Sequence, residues 1–117
     1  MFLLDRIMTK VTIFKRDNQI SEVVCDGHTF YGEKGEDIVC AALSSVVQTA
    51  VLGLMTVAGV DVDLERDEER GYLRLVLPRN MNEDQRLKSS VILDTMLMGV
   101  SDLYEGFSDF IELEVKK

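Results

Sequence analysis

The 117-residue chain is short of basic side chains, histidine, cysteine and proline. Its 13 lysines and arginines are outnumbered by 21 aspartates and glutamates, which gives a formal net charge of −8. Broad nucleic-acid binding is therefore disfavoured, because it requires a basic surface that displaces counterions from phosphates. The same acidity suits a basic protein partner, since opposite fields steer encounter, although it can also serve only to keep a protein soluble.

Two cysteines are too few for a disulfide framework in a domain with a good core. We expect Cys25 and Cys40 to be thiols in a cytosolic protein, although the sequence alone leaves a disulfide between them open. The apolar start of the chain, residues 1–7, lacks the basic lead and the cleavage site of a signal peptide. The longest apolar run, Val46 to Val60, contains polar residues and falls short of the ~20 residues needed to cross a bilayer. We therefore expect no membrane segment.

The single proline and the absence of low-complexity segments favour one folded domain. Hydrophobic residues make up 46% of the chain and charged residues 29%, which is typical of a globular protein. We expect the domain to cover residues 8–117, because a strand pattern begins just after Met8. Residues 1–7 are then an N-terminal extension.

Hydrophobic periodicity predicts the element order ββαββαβ. Lys10–Arg16 and Ile20–Cys25 alternate and form a predicted hairpin across an Asp-Asn turn. The segments VDVDLERD and YLRLVL form two further strands, and Phe110–Val115 forms the last. The predicted fold is α+β, a mainly antiparallel sheet of about five strands with two helices.

The two predicted helices have different patterns. The first runs from about Asp37 to Leu52 and is small and apolar almost all round, so we expect it to be buried against the sheet. The second begins at Asn82, with Gln85 three residues on to complete a capping box, and ends at Gly106. Its predicted buried stripe comprises Leu87, Val91, Leu93, Met96, Leu97, Val100 and Leu103.

A polar stripe interrupts the first predicted helix. Asp37, Cys40, Ser44 and Gln48 are three, four and four residues apart. At helical geometry they fall within about a quarter of the circumference. The stripe must therefore face solvent, a cleft or a partner.

Cys40 is the predicted reactive thiol, because it lies in the first turn of the predicted helix. Free backbone N–H groups and the positive end of the helix dipole favour a thiolate there, and a thiolate is the attacking form of cysteine. The only histidine, His28, follows Gly27 at the end of the second strand. If the glycine-containing loop after it folds back, His28 and Cys40 can lie side by side. Cys25 lies in a strand beside Asp26, and we interpret it as a packing residue.

The segment from Gly27 to Ser44 resembles the ribosomal-processing cysteine protease family (Prp). That family has a Gly-His pair at a strand end, a glycine-containing loop, and a helix that opens with Asp-Ile-Val-Cys-Ala-Ala and has a serine four residues past the cysteine. The likeness extends over most of residues 8–115. The motif positions present in this chain are Gly27, His28, Asp37, Cys40 and Ser44.

The resemblance implies a cysteine endopeptidase that removes a short N-terminal extension from the twenty-seventh large-subunit ribosomal protein before ribosome assembly. Its implied catalytic residues are His28 as base and Cys40 as nucleophile, and Gly27, Asp37 and Ser44 match motif positions with supporting roles. It also implies a homodimer, and it implies no cofactor and no metal. The acidity of the chain agrees with a strongly basic ribosomal substrate.

The chain departs from the family pattern at Thr29, where alanine is common, and in residues 1–7. Two other functions stay open: a non-catalytic assembly or escort factor for the basic ribosomal protein, and a thiol redox protein that uses Cys25 and Cys40. Thiol reactivity distinguishes the three. A protease requires one reactive thiol at Cys40, a redox protein requires both thiols to change together, and an escort factor requires neither to be unusual.

Overall fold

The computed structural model describes residues 9–27 and 34–117, except for the side chains of residues 34–37. Five strands and two helices follow one another in the predicted order ββαββαβ. The predicted N-terminal extension, residues 1–7, lies outside the described residues. The bounds of the elements are β1 Thr9–Arg16, β2 Gln19–Asp26, α1 Lys34–Thr56, β3 Asp63–Asp67, β4 Tyr72–Val76, α2 Glu83–Gly106 and β5 Ile111–Lys116.

The strands form one sheet in the order β3-β4-β2-β1-β5. Neighbouring strands are antiparallel except β1 and β5, which are parallel, so the prediction of a mainly antiparallel sheet is confirmed. The β1–β2 register pairs Lys10 with Asp26. Continued by one residue, this register brings Thr9, the first residue of β1, to Gly27 at the exit of β2.

The sheet has an apolar face and a charged face. Alternate residues of the inner strands point towards the helices and are fully buried, among them Val11, Ile13, Val23 and Leu75. On the other face Lys10 lies 3.4 Å from Glu114, and Arg74 lies 2.8 Å from Glu22. The period-2 alternation of the strands therefore separates the core from solvent.

The two helices pack side by side across glycines. A Cβ atom at Gly53 would lie 3.5 Å from Ile92, and one at Gly99 would lie 3.2 Å from Val46. The later α1 residue meets the earlier α2 residue, so the helices are antiparallel. Glycine at position 99 therefore allows the close approach of the two helices, whereas a Cβ atom at Gly53 would make an ordinary van der Waals contact.

The predicted capping box at the start of α2 is confirmed. Asn82 Oδ1 accepts from the Gln85 backbone N–H at 2.8 Å, and Gln85 Oε1 accepts from the Asn82 backbone N–H at 3.0 Å. These reciprocal bonds satisfy two of the donors that a helix start leaves free.

Two expectations about helix burial are wrong. α1 is not buried all round, because Ile38, Leu52 and Met55 are each more than half exposed. Leu87 and Val91, predicted in the buried stripe of α2, are also more than half exposed, whereas the other five residues of that stripe are buried or partly buried. The reason is that the sheet covers the helix layer on one side only.

The 19-residue segment Ile38–Thr56 of α1 is, by length and composition alone, long and apolar enough to cross a membrane. The expectation that no apolar run reaches such a length is therefore wrong, since the helix continues through the polar residues that interrupt the run. In the fold, one face of this segment, with Leu43, Val47 and Leu54, is buried in the core above the sheet. That arrangement is typical of the core helix of a globular domain.

Candidate active site

A cleft of about 350 Å³ lies between α1 and the β3–β4 hairpin. Cys40, Ser44 and Gln48 line it from the helix, so three of the four residues in the predicted polar stripe face a cleft. The side chain of the fourth residue, Asp37, lies outside the described part of the chain. Gln48 Nε2 donates to Ser44 Oγ at 2.7 Å, which orders the two polar groups beside each other.

The opposite wall of the cleft comes from the end of β3 and the turn into β4. Arg66, Asp67, Glu68 and Tyr72 line this wall. Arg66 lies 3.8 Å from Glu68, and the Asp67 carboxylate accepts from the Arg70 backbone N–H at 3.3 Å. The sequence shows this segment only as a charged turn, and tertiary packing alone brings it opposite Cys40.

Cys40 is partly exposed, and its Sγ lies 3.6 Å from Thr9 Oγ1. α1 begins at Lys34, three residues before its predicted start, so Cys40 lies in the second turn of the helix. At about 1.5 Å per residue, it lies roughly 9 Å along the axis from Lys34. The prediction that free N–H groups and the helix dipole act directly on Cys40 is therefore wrong, because those effects are confined to the first turn.

The backbone that leads into His28 is held by two hydrogen bonds. The Gly27 N–H donates to the Gly71 carbonyl at 3.0 Å, and the Gly27 carbonyl accepts from Thr9 Oγ1 at 2.9 Å. Gly27 has a φ of 95°, a conformation that is costly for any residue with a Cβ atom. Glycine is therefore needed for the turn out of β2. His28 itself lies outside the described residues, and its contact with Cys40 stays a prediction.

An ion pair supports the same junction. Arg70 Nη2 donates to the Asp26 carboxylate at 3.0 Å, and the Arg70 guanidinium lies 4.5 Å from the centre of the Tyr72 ring. Both charged side chains reach solvent, with 58% of Arg70 and 43% of Asp26 exposed, so the pair contributes little stability by itself. Together with the Gly27–Gly71 bond, it joins the end of β2 to the start of β4.

Thr9 connects the two sides of the site, although nothing in the sequence predicts it as a site residue. It is 7% exposed, and its hydroxyl contacts both the Gly27 carbonyl and Cys40 Sγ. Laid end to end, the two distances of 2.9 and 3.6 Å bring the Gly27 oxygen within about 6.5 Å of Cys40 Sγ. The Gly27 carbonyl carbon is bonded to the backbone nitrogen of His28. Gly27, the residue that precedes His28 in the sequence, therefore lies at the same end of the cleft as the thiol.

Cys25 lines the same cleft from the sheet side, but it is 9% exposed. Burial raises the pKa of the Cys25 thiol from 9.0 to about 12. The interpretation of Cys25 as a packing residue is confirmed by its burial in the core, where loss of solvation disfavours the thiolate. Neither cysteine forms a disulfide.

The cleft therefore offers one accessible thiol, hydroxyl groups, an amide and carboxylates. Within residues 9–27 and 34–117, no three histidine, cysteine, aspartate or glutamate side chains are grouped to hold a metal ion. A partly exposed thiol in a cleft suits nucleophilic attack on a carbonyl group.

Residues 8–112 match the family described as Cysteine protease Prp. The chain belongs to this family. A relative from Staphylococcus aureus, named Ribosomal processing cysteine protease Prp, is 29% identical over 100 residues, which cover 86% of this chain and 91% of the relative. The family predicted from the Gly27–Ser44 motif is thus confirmed.

Two crystal structures of the S. aureus Prp protease share the fold. One is a complex with a substrate peptide, with a TM-score of 0.81 at 27% identity, covering 93% of this chain and 100% of that chain. The other contains a covalently linked product peptide, with a TM-score of 0.80 at 29% identity and the same coverage. A Prp protease needs an accessible sulfur, and of the two thiols in this cleft only Cys40 is more than marginally exposed.

Proposed function

We propose that this Prp-family chain is an endopeptidase with Cys40 as nucleophile and His28 as base. In this proposal it removes a short N-terminal extension from the twenty-seventh large-subunit ribosomal protein before ribosome assembly. The observation that carries the proposal is the convergence of Cys40 Sγ and the Gly27 carbonyl on Thr9 at one end of the cleft. The S. aureus Prp structure with a covalently linked product peptide supports a covalent intermediate.

The proposed reaction has two halves. In the first, His28 takes the proton of Cys40 and the thiolate adds to the scissile carbonyl. The adduct collapses to a thioester as His28 gives that proton to the leaving amine. In the second half, His28 takes a proton from water, and the resulting hydroxide adds to the thioester. The carbon–sulfur bond then breaks, which releases the new carboxyl terminus and restores the thiol. Nothing is oxidised or reduced, so the proposal requires no cofactor.

The position of Cys40 in the second turn of α1 changes which groups stabilise the thiolate. The helix start is too distant to act strongly, so the imidazolium of His28 carries most of that stabilisation in our proposal. We assign Asp37 a role in orienting His28 or a backbone group, because a carboxylate close to a thiolate would oppose its ionisation. Gly27 sets the exit of β2 towards His28, and Ser44 contributes to the helix wall of the cleft.

The proposed substrate is a basic protein, which the net charge of −8 favours through electrostatic steering. The name of the S. aureus relative, a ribosomal processing protease, supports a ribosomal substrate. We place the reaction in the cytoplasm. We also propose that the chain contacts protein substrate directly, without nucleic acid or membrane, since the buried face of α1 is already covered by the core.

We also propose a homodimer. Both helices carry large apolar side chains that the fold leaves exposed, and a second copy would bury them. Sedimentation at micromolar concentrations tests this proposal, with about twice the chain mass as the expected result. A single-chain mass at about 100 μM would contradict it. The exposed apolar residues of the two helices include Leu52, Met55, Leu87, Val91 and Met98.

Incubation with an extended form of the ribosomal protein tests the enzymatic proposal. The native chain is expected to release the N-terminal peptide, Cys40→Ala to release none, and His28→Ala to be slower by about a hundredfold or more. Cys25→Ala is the matched thiol control and should retain cleavage. Equal processing by the native chain and Cys40→Ala would overturn the proposal. Tight binding by the native chain without cleavage would instead indicate an escort factor.

A further inference from the structure

The hydroxyl of Thr9 contacts two groups that compete for it. Its Oγ1 lies 2.9 Å from the Gly27 carbonyl oxygen and 3.6 Å from Cys40 Sγ. A carbonyl only accepts, so Thr9 donates its single hydroxyl hydrogen to Gly27. In this arrangement Thr9 can only accept from Cys40, so a hydrogen bond between the two side chains requires the S–H form of the thiol.

Ionisation of Cys40 removes the hydrogen that Thr9 accepts. Oγ1 then faces two acceptors, the thiolate and the Gly27 carbonyl, with one hydrogen to give. A hydrogen bond to a charged group is roughly twice as strong as one between neutral groups. The hydroxyl therefore forms a stronger hydrogen bond when it rotates its hydrogen from the Gly27 carbonyl to the thiolate.

We propose that Thr9 is a positioning residue for Cys40 whose hydroxyl hydrogen moves from the Gly27 carbonyl to Sγ when the thiol ionises. The consequence for catalysis rests on the proposed protease function. Thr9 holds the sulfur beside Gly27, the residue that precedes His28 in the sequence, and it supplies the thiolate with a hydrogen-bond donor that the helix start is too distant to provide.

The setting of Thr9 suits this role, because the sheet fixes the position of its hydroxyl oxygen. Thr9 begins β1, which pairs with β2 on one side and β5 on the other. Its backbone N–H donates to the Phe110 carbonyl at 3.1 Å. Its β-branched side chain is buried and restricted at χ1. The oxygen is therefore held in place while its hydrogen stays free to rotate.

Other titratable groups line the same cleft and would contribute to any pH profile of Cys40. They come from β2, β3, β4 and the β3–β4 turn, and His28 follows β2 in the sequence. A substitution at Thr9 changes none of these side chains, and Thr9→Ser also keeps the hydroxyl that bonds the Gly27 carbonyl, so the comparison of Thr9→Val with Thr9→Ser tests the hydroxyl. The cleft-lining groups are Cys25, Tyr72, Arg66, Asp67 and Glu68.

The test compares Thr9→Val, which removes the hydroxyl but keeps the shape, with Thr9→Ser, which keeps the hydroxyl. Iodoacetamide alkylation of Cys40 is followed by mass spectrometry from pH 5 to pH 10. In the Thr9→Val variant, Cys40 should be alkylated about three- to tenfold more slowly at pH 7, and its half-maximal rate should lie at higher pH. The reason is that the substitution removes a stronger hydrogen bond from the thiolate than from the thiol. Thr9→Ser should lie within about twofold of the native chain. In cleavage assays, Thr9→Val should lower kcat and leave KM nearly unchanged.

A Thr9→Val profile that overlays the native one would overturn the proposal, and so would a Thr9→Ser profile as altered as that of Thr9→Val. If Thr9→Val does not fold, Thr9→Ala decides, because it also lacks the hydroxyl and introduces no new contact. The two proposals fail separately. A native chain that cleaves nothing but shows the Thr9-dependent profile defeats only the protease, whereas active cleavage with an unaltered profile defeats only the role of Thr9.

Discussion

The strand side and the helix side of the cleft each present one cysteine, and the two thiols have different surroundings. The alternation of β2 directs Cys25 into the core, where loss of solvent raises its pKa to about 12. The polar stripe of α1 directs Cys40 into the cleft, where it meets Thr9. Both cysteines border the same cleft, so their position in the fold does not distinguish them. What differs is the direction of each side chain: Cys25 points into the core, and Cys40 points into the cleft.

The largest expected difference is between the alkylation rates of the two thiols, Cys40 on the helix side and Cys25 on the strand side. The raised pKa of Cys25 lowers its thiolate fraction at pH 8 about a thousandfold relative to an unburied thiol, and burial slows it further. Iodoacetamide should therefore label Cys40 at least about a thousand times faster than Cys25 in the native chain, as measured by mass spectrometry of a digest. Unfolding in guanidinium is the control and should bring the two rates together. Equal labelling of both native thiols would instead favour a redox protein.

The buried thiol should also make stability depend on pH. Below pH 9 Cys25 keeps its proton in both the folded and the unfolded states. Between pH 9 and pH 12 the unfolded chain loses that proton while the folded chain retains it, so stability falls as pH rises. From pH 8 to pH 10.5 the free energy of unfolding should fall by about 2 kcal/mol more for the native chain than for Cys25→Ala. Urea titrations at the two pH values measure this difference, and equal losses would contradict it.

Substitution of Gly27 tests whether the exit of β2 positions His28 for cleavage. Alanine at a φ of 95° should cost about 1–2 kcal/mol of stability and displace the chain entering His28, so cleavage should fall about tenfold or more. Gly59→Ala is the matched control, because Gly59 also has a positive φ of 65°, has no atom near its missing Cβ, and lies beyond the far end of α1. It should lose comparable stability and keep its cleavage rate. Equal cleavage by the two variants would show that Gly27 does not position His28.

Local patterns predict the elements and the family of this protein. The capping box of Asn82 and Gln85 depends on residues three apart, so the start of α2 follows from sequence. The motif from Gly27 to Ser44 is contiguous and indicates the family. The start of α1 is missed because Gly35 and Glu36 resemble loop residues, and this error puts Cys40 one turn too close to the helix start.

Features that depend on tertiary contacts cannot be predicted in this way. Thr9 is an ordinary strand residue until the β1–β2 register brings it to Gly27. The cleft wall at Asp67 forms only when the β3–β4 hairpin lies opposite α1. Leu87 follows the helical period but is exposed. Periodicity shows which side of a helix is apolar, but it does not show how much of that side the sheet covers.

The smallest expected effect on stability belongs to Ser44 on the helix side. Its side chain is exposed and its hydrogen bond to Gln48 is in solvent, so Ser44→Ala should change the free energy of unfolding by less than about 0.5 kcal/mol. If the pair contacts the peptide, KM should rise severalfold while kcat is unchanged. Gln48→Ala removes the same bond from its other end and should raise KM equally. A lower kcat for Ser44→Ala alone would instead place this hydroxyl among the groups near the scissile bond.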